Sequence, residues 1–109
     1  MNSNKDFLKA NLENKVSYLQ DEHKIVLQAI YDDACEKGVV HDFEYDKHLC
    51  QSISFTELSK NVDVSDMVLN ICLVDLERMG FIINTMRNSY KETEYAIWYL
   101  GLEYFKELQ

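Results

Sequence analysis

The sequence predicts an α+β domain, and two observations lead to that prediction. As far as Gly80, apolar residues recur every three or four positions, which is typical of helices that bury one face. After Gly80, short runs rich in β-branched and aromatic residues favour strands instead. The chain has 109 residues, which is enough for one compact domain and too few for two. We therefore expect a single domain of packed helices with a small β-hairpin near its end.

Two helical patterns open the chain. Residues 5–20 carry an apolar stripe at helical spacing, Leu8, Leu12, Val16 and Leu19. Asparagines crowd the same stretch, so this helix needs a surface to pack on. Residues 21–37 form the second pattern, ended by Gly38. Its predicted inward residues are Ile25, Val26, Ala29, Ile30, Ala34 and Cys35. The two patterns fit either two helices or one bent helix.

Residues 39–52 are predicted to be an acidic loop. The loop holds five residues of metal-binding type, His41, Asp42, Asp46, His48 and Cys50. Their spacing matches no standard zinc pattern such as paired Cys-x-x-Cys. We therefore expect a solvated loop, with no metal and no cofactor.

The next two helices are marked by capping residues. Ser54 and Glu57 form a capping box that starts a short helix, with Phe55, Leu58 and Val62 buried. After the turn at residues 63–65, Ser65 caps a third helix that runs to about Met79. The inner stripe of this helix is Leu69, Cys72, Leu73, Leu76 and Met79, and Gly80 ends it in the left-handed conformation.

A hairpin and a last helix complete the pattern. Residues 81–86 and 94–99 are predicted strands, and residues 87–91 lie between them as the tip. Either Tyr95, Ile97 and Tyr99 or Ala96 and Trp98 should face the core. Gly101 is predicted to open the last helix, 101–109, whose apolar face is Leu102, Phe105 and Leu108.

This order of elements resembles the winged helix-turn-helix superfamily over residues 53–109. The resemblance lies in Phe55-Thr56-Glu57-Leu58, Val64-Ser65, Leu73, Leu76-Glu77 and Gly80-Phe81-Ile82. It is closest to small bacterial regulators of the MarR and PadR kind. The resemblance implies a recognition-type helix at residues 65–79, a wing at 81–99 and a winged-helix domain at 21–109. Winged helices serve both as DNA readers and as protein-docking modules, so the resemblance implies a fold and leaves the function open.

The charges do not suit DNA. The net charge is −8, and residues 1–24, 25–52, 53–80 and 81–109 carry 0, −4, −3 and −1. A DNA-binding protein needs a basic surface, and no quarter of the chain is net basic. In the family, contacts come from the outer face of the recognition helix, where only Asn70 has the donors that read a base. The resemblance offers Asn70, Arg78, Arg87 and Lys91 as DNA contacts, with Arg87 a possible minor-groove probe at the wing tip. A solubilising charge on an exposed turn is the explanation of Arg87 that we favour.

The predicted helix at residues 65–79 also carries an apolar stripe on the side that should face solvent. Met67, Val68, Ile71 and Val74 lie opposite Leu69, Leu73 and Leu76. A helix that is apolar nearly all round is normally buried all round. Two explanations stay open: the N-terminal helix of the same chain covers the stripe, or the stripe docks a partner or a second copy.

We expect residues 1–20 to serve as a dimerisation arm, because terminal helices commonly pair in this superfamily. Leu8, Leu12 and Val16 are the candidate interface residues of that arm. The chain has no stretch of about 18 apolar residues that could span a membrane, and its first six residues lack the core of a secretory signal. We therefore expect a cytoplasmic protein with reduced cysteines.

No catalytic motif is found. The chain has no phosphate-binding glycine loop, no Gly-x-Ser-x-Gly and no His-Glu-x-x-His. Cys35 and Cys72 are both predicted to face inward, and His23 is expected at the surface. Two functions follow: a non-enzymatic regulatory adaptor or inhibitor that acts through protein contacts, or a DNA-binding repressor of the MarR/PadR kind.

Overall fold

A computed structural model of the chain describes residues 3–38, 52–85 and 93–107, which form five helices and three strands. The helices are α1 (Ser3–Val16), α2 (Asp21–Glu36), α3 (Phe55–Asn61), α4 (Asp66–Met79) and α5 (Tyr99–Glu107). The strands are β1 (Ile53–Ser54), β2 (Ile82–Asn84) and β3 (Glu94–Ile97). The α+β prediction is confirmed.

The first two patterns are two helices and not one bent helix. The chain leaves α1 through turn hydrogen bonds, from the Ser17 amide to Glu13 and from the Leu19 amide to Val16, each 3.0 Å long. The Ser17 hydroxyl also bonds the Asn14 carbonyl. These local polar bonds compete with helix continuation, which is the usual effect of serine and asparagine inside a helix.

The inward face of α2 is narrower than its apolar content predicts. Val26, Ile30 and Ala34 are buried as expected, and Leu27, which the prediction omitted, is buried with them. Ile25 and Cys35 are exposed, so both inward predictions were wrong. The helix packs against α4 and β3 on one side, and residues 25 and 35 fall outside that arc at 3.6 residues per turn. Gly38, at φ +91°, lies just beyond the last turn as predicted.

Serine caps start α3 and α4 as predicted. The hydroxyl oxygens of Ser54 and Ser65 each accept a bond from the backbone amide three residues later, Glu57 and Val68, at 3.2 Å. Gly80 ends α4 with φ +91°, and its amide donates back to the carbonyls of Glu77 and Leu76. The predicted inner stripe of α4 is buried, with Met79 half-buried at its end.

The three strands form one antiparallel sheet in the order β1-β3-β2. Ile53 pairs with Tyr95, and Ile82 pairs with Ile97, so β3 is the central strand. The sequence did not predict β1, because two residues carry no alternation. The predicted strand 94–99 was too long: β3 ends at Ile97, and Tyr99 is exposed in the first turn of α5.

Gly101 lies inside α5 and does not open it, which corrects the prediction. The helix starts two residues earlier, where the Trp98 amide donates to the Phe81 carbonyl at 2.9 Å. A Cβ at position 101 would collide with that same carbonyl oxygen and lie 2.9 Å from Cγ2 of Ile97. Glycine is therefore required by a close approach of two backbone segments.

One apolar core joins these elements. It lies between α2, α4, α5 and the sheet, and Leu12 and Leu19 from the N-terminal segment contribute to it. Tyr31 of α2 stacks on Phe105 of α5, with ring centroids 3.8 Å apart, which secures the last helix to the body. In the described part of the chain, no helix is long and apolar enough to cross a membrane.

Candidate functional site

The outer surface of α4 carries apolar side chains that do not pack in the core. The inner side of the helix is fully buried through Leu69, Cys72, Leu73 and Leu76, and it packs against α2 and β2. A helix needs one buried side to be held in place. Packing of the core therefore does not require apolar residues on its outer side.

That outer side is apolar and exposed. Met67 is 75% exposed, Ile71 54% and Val74 42%. At 3.6 residues per turn these three side chains lie in one line along the helix, and we call them the outer strip. Val68 is half-buried and packs against the core, so it does not belong to the exposed strip.

The first helix of the chain does not cover this strip. α1 packs against α5, and it contacts the core through Leu12, which is 2% exposed, and through Val16, which is half-buried. The sequence left two explanations open, and one of them was that the N-terminal helix of the same chain covers the stripe. The structure excludes that explanation for the three residues of the outer strip.

Acidic side chains flank the outer strip. Asp75 lies on one side of it, whereas Asp66 and Glu77 lie on the other. Arg78 is exposed at the C-terminal end of the helix and is its one basic residue. An apolar line with carboxylates on both sides suits a partner that presents an apolar line with basic residues beside it.

His23 of α2 forms a hydrogen bond with Asp75, the carboxylate on one side of the outer strip. Its Nε2 lies 2.9 Å from Oδ2 of Asp75, and its Nδ1 accepts a 3.0 Å hydrogen bond from the Gln20 amide. Because Nδ1 is an acceptor here, the neutral ring places its proton on Nε2 and donates it to the Asp75 carboxylate. His23 is half-buried, so it has a structural role in place of the purely surface role that the sequence suggested.

Cys72 lies behind the strip, buried in the core. Burial raises the pKa of its thiol, and the charges of Asp75 and Glu22 raise that pKa further. A reactive cysteine needs the opposite shift, towards the thiolate. Cys72 is buried as predicted.

The candidate DNA contacts are divided between described and undescribed parts of the chain. Asn70 and Arg78 are exposed on α4. Arg87 and Lys91 lie outside the described residues, as does the wing tip between the two strands.

The three candidate interface residues of the N-terminal arm have different environments. Leu8 is 59% exposed, Leu12 is buried in the core of its own chain, and Val16 is half-buried against that core. Leu12 is thus not available for pairing. Phe7, which the prediction did not include, is 70% exposed beside Leu8.

The candidate metal residues at 41–50 lie outside the described residues. Within the ranges that are described, no group of three or more His, Cys, Asp or Glu side chains could hold a metal ion.

Comparison with known proteins adds no assignment. No protein-family model, no curated protein and no solved structure matches this chain.

Proposed function

We propose that this protein is a non-enzymatic regulatory module, an adaptor or inhibitor, that binds another protein through the outer strip of α4. The observation that carries the proposal is the exposure of Met67, Ile71 and Val74 in one line on a helix whose other side is buried. Contiguous apolar side chains exposed on a rigid helix are characteristic of docking surfaces. We further propose that it acts in the cytoplasm, where its three cysteines would stay reduced.

We also propose that the domain is a winged helix. The element order α2-β1-α3-α4-β2-β3, with β1 beside β3 in the sheet, supports this membership. In that family α4 would take the place of the recognition helix. The residues that a DNA-binding relative uses for bases would then be the residues that meet protein here.

Charge favours a protein partner over DNA. Asp66, Asp75 and Glu77 on α4 outnumber its single Arg78. Carboxylates beside phosphates would repel, and no counterion release would offset that repulsion. A protein surface that is basic and apolar would instead attract these carboxylates and bury the outer strip.

A DNA-binding repressor is the second candidate. The exposed amide of Asn70 and the exposed guanidinium of Arg78 favour it, because both lie on the outer side of α4. Arg87 and Lys91 would have to supply the remaining contacts. Two described donors on an acidic helix are few for a protein that must neutralise several phosphates.

Photo-crosslinking inside the cells that encode the protein tests the proposal. A photoreactive phenylalanine analogue replaces Ile71, and the matched control carries it at Ile25, an exposed apolar residue on the solvent side of α2. We expect one defined adduct with a different protein from position 71 and none from position 25. An adduct from position 71 that contains nothing except a second copy of this chain would contradict the proposal.

A further inference from the structure

Four backbone amides carry the chain from α1 into α2, and the last of them differs from the others in its acceptor. The amides of residues 17–19 donate to backbone carbonyl oxygens of α1 at 3.0 to 3.1 Å. The amide of Gln20, the N-cap of α2, donates to Nδ1 of His23 at 3.0 Å. A carbonyl oxygen accepts hydrogen bonds at any pH, whereas an imidazole nitrogen accepts only while it carries no proton.

His23 occupies the third position of α2, where glutamate or glutamine usually accepts the hydrogen bond of the N-cap amide. Both of those side chains keep an acceptor oxygen in every protonation state. Histidine does not, and it is the side chain that ordinarily changes charge between about pH 5 and pH 8. The cap of α2 is therefore built with an acceptor that a proton can remove.

The ring cannot turn to restore the lost bond. Nε2 of His23 lies 2.9 Å from Oδ2 of Asp75 on α4, and the side chain is half-buried. Protonation makes both ring nitrogens donors, so no orientation of the ring offers an acceptor to the Gln20 amide. The bond to Asp75 becomes charge-assisted at the same time, which keeps the ring on α4. One proton thus breaks one bond of the ring and strengthens the other.

The charged groups around the ring come from both helices. On α2, Asp21 and Glu22 precede His23 and Lys24 follows it, and the positive end of the helix dipole lies at the same place. On α4, Asp75 faces the ring directly. The three carboxylates attract an imidazolium, whereas Lys24 and the dipole repel it. The protonated ring is therefore paired with Asp75 and is not an isolated buried charge.

We propose that the junction between α1 and α2 is a pH-sensitive switch, in which protonation of His23 uncaps α2 while the ring stays bound to Asp75. At neutral pH the cap fixes the backbone at Gln20, where the two helices meet. In acid the Gln20 amide turns to water, and the junction loses the bond that fixes where α2 begins. This switch goes beyond the proposed function and does not depend on it, because the cap forms within one chain.

Nuclear magnetic resonance of the full-length protein labelled with ¹⁵N tests the switch. A scalar coupling between the amide nitrogen of Gln20 and Nδ1 of His23 exists only while the hydrogen bond does. We expect this coupling at about pH 7.5 and its loss at about pH 5, in step with uptake of a proton by the ring. Protection of the Gln20 amide from hydrogen exchange, corrected for the intrinsic effect of pH, should fall by roughly fivefold.

Two variants hold the cap in one state. His23→Gln keeps an acceptor that no proton removes, so protection of the Gln20 amide should be the same at both pH values. His23→Ala has no acceptor, so protection should be low at both. The amides of residues 17–19, which are bonded to carbonyl oxygens, are the internal control and should keep their protection in all three proteins.

The thiol of Cys72 does not compete with His23 in this pH range. Burial raises its pKa, and the charges of Asp75 and Glu22 raise that pKa further, so it keeps its proton at both pH values. A pH response at Gln20 that disappears in His23→Gln therefore reports the histidine.

Other outcomes overturn the proposal. A coupling that is absent at about pH 7.5, or that persists on a protonated ring, shows that the cap does not depend on the proton. A ring that stays neutral at about pH 5 shows that no switch operates in this range. An equal fall in protection in His23→Gln assigns the response to another group. Each of these results would leave the proposed function standing, because crosslinking from position 71 does not require the cap to open.

Discussion

Gly101 lies where the last helix crosses the backbone that follows α4. The Phe81 carbonyl accepts a hydrogen bond from the Trp98 amide and also faces the Cα of Gly101. This crossing holds α5 against the end of α4, and any side chain at position 101 would force the two segments apart.

We expect Gly101→Ala to lower the free energy of unfolding by about 1–3 kcal/mol through this collision. The sign is informative, because alanine in a helix is ordinarily favoured over glycine by about 1 kcal/mol. Urea unfolding measures the change. Gly80→Ala is the comparison: nothing lies near that position, so its cost should reflect only the positive φ. A Gly101→Ala protein as stable as the wild type would contradict the described crossing.

Cys72 predicts how stability depends on alkaline pH. Burial raises the pKa of its thiol above the ordinary value of 9.0, so the folded protein keeps the proton to a higher pH than the unfolded chain does. The contribution of this group to stability is therefore complete below pH 9.0 and is lost as pH rises through the folded pKa. Tyr95 acts in the same direction, because burial and the charge of Glu77 raise its pKa, while a hydrogen bond with Thr93 lowers it.

We expect Cys72→Ala to lower the free energy of unfolding by about 1 kcal/mol at neutral pH. Between pH 7 and about pH 10, the free energy of unfolding should fall less in this variant than in the wild type. Urea unfolding at the two pH values gives the comparison. Cys35→Ala, at an exposed thiol, should follow the wild type at both. If the free energy of unfolding fell equally in all three proteins over this pH range, the Cys72 thiol would not contribute to the pH dependence of stability.

At the scale of elements, the hydrogen bond between His23 and Asp75 joins α2 to α4 beside the outer strip. We expect a double-mutant cycle of His23→Ala and Asp75→Ala to give a coupling energy of about 1 kcal/mol, since one partner is charged and the other is half-buried. Gln28 and Asp32, an exposed pair within α2 bonded at 2.8 Å, form the control and should couple by a few tenths of a kcal/mol. Equal coupling in the two pairs would mean that the bond does not hold α2 to α4.

Local signals predicted the helices well, and contacts distant in sequence account for what was missed. Ser54, Ser65 and Gly80 act within one turn, so the sequence is sufficient to place these caps. β1 forms because Ile53 and Ser54 pair with residues 94–95, at least forty positions away. The need for glycine at 101 likewise comes from Phe81, and the environment of His23 comes from Asp75.

The candidate site was predicted in part for the same reason. Met67, Ile71 and Val74 were recognised because an apolar residue on the outer side of a helix departs from the usual period. Whether another element covers them depends on where α1 packs, which periodicity does not determine. Phe7 was missed because it lies outside the stripe that begins at Leu8, although its position beside Leu8 was a visible signal.

At the scale of the whole molecule, charge and fold indicate different partners. The winged-helix membership that we propose would place the protein in a family that often reads DNA, but the chain carries −8 and the outer side of α4 is acidic and apolar. Any protein that reads DNA also binds it non-specifically through phosphates, with dissociation constants of roughly 1–100 μM at physiological salt. A titration with DNA of arbitrary sequence is therefore informative even though no operator is known.

The most direct measurement is the fluorescence anisotropy of a labelled duplex of about 30 base pairs, titrated with the protein at about 50 mM and about 200 mM salt. We predict no salt-dependent binding up to ~100 μM protein, because the surface that would face DNA repels phosphate. The contradicting result is an affinity that falls steeply between the two salt concentrations and is abolished by Arg87→Ala. That result would favour a DNA-binding regulator and would contradict the proposal that the protein acts through protein contacts alone.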